Sequence, residues 1–271
     1  MGEFKEQKIV VIITLTESDR ILIEYGVRLA TIFRKELCLL VHSGKKSGSI
    51  PENCSEQLET YTLEISNKNP GLRVSQLIIS KSNKKLPDYL ADEVEAILIL
   101  TSASSFHDYS SAVEESPIPF LFIDENSNEI SAFKKVMLAI DLRTENKDSA
   151  LWSSYFGRFN QSEIVVVAAN DHSKEGQQNV AQNIVFTKKL YKKFKLSHKI
   201  FKGTKSSLGN SFEALDLANS SGSDLLIILG SSTITPIDRL VGLPERKIVK
   251  HAGYLPVLLV NPRRDNYILC D

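Results

Sequence analysis

Apolar residues fall in two rhythms that alternate along the chain. "KIVVIIT" at 8–14 is apolar along its length, without the in–out alternation of a strand that has one wet face. It is followed by "SDRILIEYGVRLATIF", where Leu22, Tyr25, Leu29, Ile32 and Phe33 recur at helical spacing. That spacing predicts an amphipathic helix, with Ser18 as its N-cap. "LCLLVH" (37–42) is a second strand, "PENCSEQLETYTLEISN" a helix and "LRVSQLIIS" a third strand. "LPDYLADEVE" is a short helix, "AILIL" (96–100) a fourth strand and "IPFLFID" (118–124) a fifth.

The second half repeats the order. "KKVMLAID" (134–141) is a strand, and "KDSALWSSYFGRF" a helix with Leu151, Tyr155, Phe156 and Phe159 on one face. "EIVVVAA" is a strand, "QQNVAQNIVFTKKLYKKF" a long helix and "SHKIFKG" a strand. "NSFEALDLANSSG" is a helix with a glycine stop, "DLLIIL" a strand, "PERKIVKHAG" a helix and "LPVLLV" the closing strand.

Wholly apolar strands that alternate with helices belong to parallel sheets covered on both faces. The expected fold class is α/β. Two tandem Rossmann-like or flavodoxin-like domains would each hold a five-stranded parallel sheet with helices on both faces. The polar joint "DENSNEISAF" separates them, giving domains 1–130 and 131–271. Overlaying the halves pairs Thr14 with Asp141, Leu100 with Leu229 and Pro119 with Pro256. The drift in offset lies between the fourth and fifth strands, where the first half is shorter by about eight residues, or about two helical turns.

With 33 basic and 33 acidic residues the net charge is zero, which removes bulk attraction to nucleic acid or acidic lipid. No apolar run is long enough to span a bilayer and "MGEFKEQK" has no signal-like core, so a cytoplasmic protein is expected. Cys38, Cys54 and Cys270 form no zinc or redox pattern, and Cys38 is expected in the core.

The order of elements, "VMLAID", "SGSDLLIILG" and above all "KIVKHAGYLPVLLV" resemble the universal stress protein family in its tandem form. The resemblance covers nearly the whole chain. It implies two domains packed through their last strands as a dimer within one chain, to which a homodimer could be added. ATP-binding members carry G-x2-G-x9-G-[ST] after the fourth strand, with an acid at the end of the first. Carried over, the candidate cofactor-binding residues are Asp141, Leu229, Gly230, Ser231, Ser232, Thr233, Gly242 and Leu243. The match is partial. Thr233 replaces the second glycine, Gly242 comes one residue early and Leu243 stands where Ser or Thr is expected. Pro244 removes an N–H from the first turn of the following helix, and Glu245 brings a negative charge that competes with a phosphate. Arg239 and Arg246 could compensate. In the first half Thr14 replaces the acid. "TSASSFHDYSSAVEES", without glycine, reads as a solvated Ser/Asp-rich loop.

No P-loop, nucleophile elbow, HExxH or His/Cys cluster is present, so no catalytic or metal residue is assigned. His42, at a carboxyl strand edge, reads as a hydrogen-bonded structural residue, and the lysines of "KKLYKKFKLSHKIFKGTK" as a solvated helix face. The first functional reading is a non-catalytic stress-response protein whose nucleotide site has decayed and which works through a protein partner. The alternative is an ATP- or AMP-binding sensor using the second domain, with slow hydrolysis at most. An adenylyl-transfer or electron-transfer relative ranks third, because its motifs are missing. Neither nucleic acid nor membrane is an expected partner.

Overall fold

The computed structural model describes residues 6–43, 53–231 and 244–261. The described chain divides into two compact units, one reaching Ile130 and the other starting at Ser131.

In the first unit the elements run β1 (Lys8–Ile13), α1 (Asp19–Phe33), β2 (Glu36–His42), α2 (Cys54–Lys68), β3 (Val74–Ile79), α3 (Leu86–Val94), β4 (Ala96–Ser102), α4 (Phe106–Glu115) and β5 (Phe120–Ile123). Its sheet is ordered β3-β2-β1-β4-β5, and the paired strands are parallel. The second unit runs β6 (Lys135–Ile140), α5 (Asn146–Asn160), β7 (Glu163–Ala168), α6 (Lys174–Lys193), β8 (His198–Lys202), α7 (Ser207–Ser221), β9 (Leu225–Leu229), α8 (Pro244–His251) and β10 (Val257–Val260). Its order is β10-β9-β6-β7-β8, again parallel. Parallel neighbours need right-handed crossovers. The reversal of direction after β8 therefore sends α7 and α8 to the face opposite α5 and α6. The contacts agree: α5 packs on α6 and α7 on α8. Each sheet thus has helices on both sides, a Rossmann-like arrangement.

Central strands are buried end to end, as in β4 and β9, because both faces are covered. The terminal strands differ. β3 buries only Ile79 fully, leaving Ile78 39% exposed, and β8 leaves Phe201 53% exposed. Helix α1 lies close on its sheet: a Cβ at Gly26 would stand 2.4 Å from Val11 Cγ2. Gly222, at φ 64°, ends α7 as the glycine stop predicts. By contrast α1, α3 and α5 end on Arg34, Glu95 and Gln161 in the left-handed region, with no glycine to announce the stop. Cys38 is buried in β2, and burial pushes its thiol up to about 11, which keeps it an unreactive core group. Cys54 is also buried, and Cys270 lies outside the described residues.

Two local expectations are corrected. Ser18 precedes α1 but its side chain caps no backbone N–H; its hydroxyl bonds Thr16 Oγ1 at 2.8 Å instead. The stretch read as a solvated loop contains α4, with Phe106, Tyr109 and Val113 buried at helical spacing. Its serines and aspartate occupy the outer face, and their abundance hid the apolar stripe.

Candidate functional site

In an open parallel sheet, a ligand crevice forms where neighbouring strands send their connections to opposite faces. In the second unit that point lies between β6 and β9. A cleft of ≈ 270 Å³ opens there, bounded by the carboxyl ends of both strands and by the first turns of α7 and α8. Among the described residues its wall is mostly apolar (Leu142, Leu208, Phe212, Leu229, Ile248), with Asp141, Arg143, Ser207, Ser211, Ser231 and Glu245 as its charged and polar members.

Asp141, directly after β6, is buried, and its carboxylate is fully engaged within the chain. Oδ1 accepts from the Arg143 backbone N–H at 2.8 Å and from Asn146 Nδ2 at 2.7 Å. Oδ2 accepts from Arg143 Nε at 2.9 Å and Nη2 at 2.5 Å. The same guanidinium crosses to the end of β9. There Nη1 donates to the Gly230 carbonyl at 2.5 Å and Nη2 to that of Leu229 at 3.2 Å. Four of the five N–H groups that a guanidinium offers are therefore committed. Arg143 ties the two strand ends together across the crevice.

Three buried asparagines hold this strand end from three helices. Asn146 of α5 and Asn183 of α6 both donate to the carbonyls of Asp141 and Arg143. Asn210 of α7 bridges the Ile140 and Val167 carbonyls at 3.0 and 3.2 Å. The bonds from Asn146 and Asn183 tie down the turn that presents Arg143, and Asn210 adds a second donor to an Ile140 carbonyl already bonded by the Ala169 N–H.

Glu245 stands in the first turn of α8 and is 5% exposed. Oε1 accepts from the Ser231 hydroxyl at 2.6 Å; Oε2 has no hydrogen-bond partner among the described residues. A carboxylate there favours the helix dipole and takes the potential that a bound phosphate would use. On the other wall, Ser207 donates to Asp171 and accepts from the Leu142 N–H at 3.0 Å.

Of the residues singled out from sequence, Asp141, Leu229 and Ser231 line the cleft. Gly230 contributes its carbonyl to Arg143, while its N–H donates to Val260 at 2.8 Å and is committed to β10. Ser232, Thr233, Gly242, Leu243 and Arg239 lie outside the described residues. Arg246 is exposed. The sequence reading missed Arg143, although its place two residues after a strand-terminal acid is a short-range signal. It also missed Asn146, whose partners are three to five positions away, and Asn183 and Asn210, which carry no signal because their partners are distant in sequence.

The equivalent crevice of the first unit is built differently. Thr14 is exposed, and the nearby carboxylate is that of Asp19, the first residue of α1. Asp19 accepts from the backbone N–H groups of Thr14 and Thr16 and from the Thr14 hydroxyl at 3.1 Å. At the end of β4, Ser102 donates to Glu125, and Ser104 N–H donates to Ser102 Oγ at 3.0 Å. Burial pushes the Glu125 carboxyl up, but hydrogen bonds from Ser102 and Ser104 outweigh it and hold the group below its ordinary value. His42, the last residue of β2, is buried. Nε2 must donate to the Lys81 carbonyl at 2.9 Å, so Nδ1 of the neutral ring accepts from Tyr109 OH at 3.1 Å. Burial lowers the His42 pKa, against the bond to Lys81 that raises it.

Among the described residues no group of three or more His, Cys, Asp and Glu could hold a metal, and no helix is long and apolar enough to cross a membrane. The lysines 188, 189, 192 and 193 are exposed, and Tyr191 between them is buried with its hydroxyl 2.6 Å from Ser153 Oγ.

No protein-family model and no curated protein matches the sequence. Solved structures do match in fold. A universal stress protein from Archaeoglobus fulgidus aligns with a TM-score of 0.69 at 12% identity, covering 95% of this chain and 97% of that one. A putative universal stress protein from Pseudomonas aeruginosa UCBPP-PA14 aligns with 0.64 at 14% identity, covering 94% and 93%. A functionally unknown protein from P. aeruginosa PAO1 gives 0.62 at 14%, covering 95% and 93%. The chain thus has the fold of tandem universal stress proteins along almost its whole length.

Proposed function

We propose that this protein is a non-catalytic interaction or sensing module of the stress-response type, whose nucleotide site has decayed. The observation that carries the reading is the clasp of Arg143 on Asp141, Leu229 and Gly230. In the nucleotide-binding pattern the acid after the first strand meets the adenine–ribose end of the ligand. Here an arginine of the same chain takes its acceptor sites. Glu245 supports the reading independently. It is a buried carboxylate at the helix N-terminus where phosphates would come to rest, and bringing a polyphosphate beside it is repulsive. The committed N–H of Gly230 removes one donor from a phosphate cradle. With no free phosphate cradle among the described residues, neither hydrolysis nor transfer is expected. The protein would act through a protein partner.

Titration calorimetry of the purified chain with ATP and magnesium tests this, after a check for co-purified nucleotide. No heat and no bound nucleotide is the expected result. A single site of micromolar affinity, about −8 kcal/mol, would sink the reading in favour of an ATP or AMP sensor built on the second unit.

A further inference from the structure

We propose that the second-unit cleft takes a small organic cation, a primary ammonium group on an apolar body, with Glu245 as its counter-charge. The inference rests on the reading that nucleotide is excluded, and it names what the altered cleft would accept instead. Three observations carry it. Glu245 is about nineteen-twentieths buried, yet Oε2 has no hydrogen-bond partner among the described residues, a costly state for an ionised oxygen. The carboxylate is held from one side only, by Ser231 on Oε1. The rest of the described wall is mostly apolar, with Phe212, Leu142, Ile248 and the 94% exposed Leu208 beside Ser207 and Ser211. An apolar wall with one unsatisfied acceptor selects a ligand with an apolar body and one strong donor. Its ≈ 270 Å³ lies below the roughly 300–1,000 Å³ of pockets for drug-sized molecules, so the ligand is small. Arg143 is the other charge on the wall, and Asp141 already balances it. Because Oε2 is itself buried, the Glu245 side chain must rotate toward the cleft it lines for the ammonium to reach that oxygen. A charge-assisted hydrogen bond then replaces an unmet one.

The test uses the intact chain and three probes of similar size: phenethylammonium, 2-phenylethanol and phenylacetate, each titrated calorimetrically beside ATP-magnesium. Phenethylammonium is expected to bind at least tenfold more tightly than the neutral alcohol, with phenylacetate weakest. Glu245→Gln, shown to be folded by circular dichroism, is expected to lose the preference for the cation. No binding of phenethylammonium, or equal binding of cation and alcohol to the unaltered chain, overturns the proposal without help from the variant. So does an unchanged preference in folded Glu245→Gln. If ATP binds, the decayed-site reading itself fails. If neither ATP nor phenethylammonium binds, that reading stands and only the cation proposal falls.

Discussion

The two units share a strand order and, over their first elements, a constant offset: β1 starts at Lys8 and β6 at Lys135, α1 at Asp19 and α5 at Asn146. At the switch point they place the carboxylate on opposite partners. The first unit has Thr14 after the strand and Asp19 opening the helix; the second has Asp141 after the strand and Asn146 opening the helix. Either way a short polar bridge joins strand end to helix start. The first unit satisfies its acid with backbone N–H groups of the turn, so the charge stays local. The second satisfies its acid with a guanidinium that also reaches β9. The same fold position thus works as a local brace of the turn in one unit and as a clasp across two strands in the other.

Breaking the clasp should cost most. Asp141→Ala strands the Arg143 guanidinium, and we expect a loss of about 3 kcal/mol in denaturant unfolding. That is the low end for a broken buried pair, because Arg143 is partly exposed. Thr14→Ala at the matching position should cost about 1 kcal/mol or less. Equal losses at the two positions would show that the clasp does nothing a local turn brace does not. The exchange itself is testable. Asp19→Asn should destabilise by about 2 kcal/mol, since the bonds it weakens go to a charged acceptor. Adding Thr14→Asp to it should recover at least half of that, by rebuilding the second unit's arrangement. A double-mutant cycle with no coupling would break the equivalence.

A smaller effect separates the units by pH. Burial lowers the pKa of His42, whereas Ala169 follows β7 at the matching place. The folded first unit therefore binds fewer protons than its unfolded chain below the ordinary histidine value of about 6.5. Stability from this group is complete above that pH and declines as pH falls toward the lowered folded value. Hydrogen exchange should show first-unit amides losing protection over that window, with the trend removed in His42→Gln. An equal loss in the second unit would dissociate it from His42.

Much of this molecule was readable as a sequence, for a physical reason. Strands covered on both faces must be apolar along their buried length; β9 is wholly so, and β4 and β6 are but for Thr101, Ser102 and Lys135 at their ends, so their runs stand out. The competition offered by Glu245 was also legible, because a charge in a helix's first turn is a local matter. Its burial, and its bond to Ser231 fourteen positions away, were not. Helix α4 is obscured by its Ser- and Asp-rich composition, although Phe106, Tyr109 and Val113 keep helical spacing. The asparagine supports escaped because side-chain-to-carbonyl bonds across 40 or more positions, as from Asn183 and Asn210, leave no period in the chain.

The terminal strands of the two sheets carry a consequence for how the protein survives at high concentration. β8 reads HKIFK, and Lys199 and Lys202 guard its exposed Phe201. β3 reads VSQLII, with no charge, no proline and a partly exposed Ile78. Uncharged, β-prone segments at a sheet margin are templates for self-association, and lysine is the usual gatekeeper against it. Aggregation on storage or heating should therefore start from β3, and Ile78→Lys should delay it, as followed by light scattering.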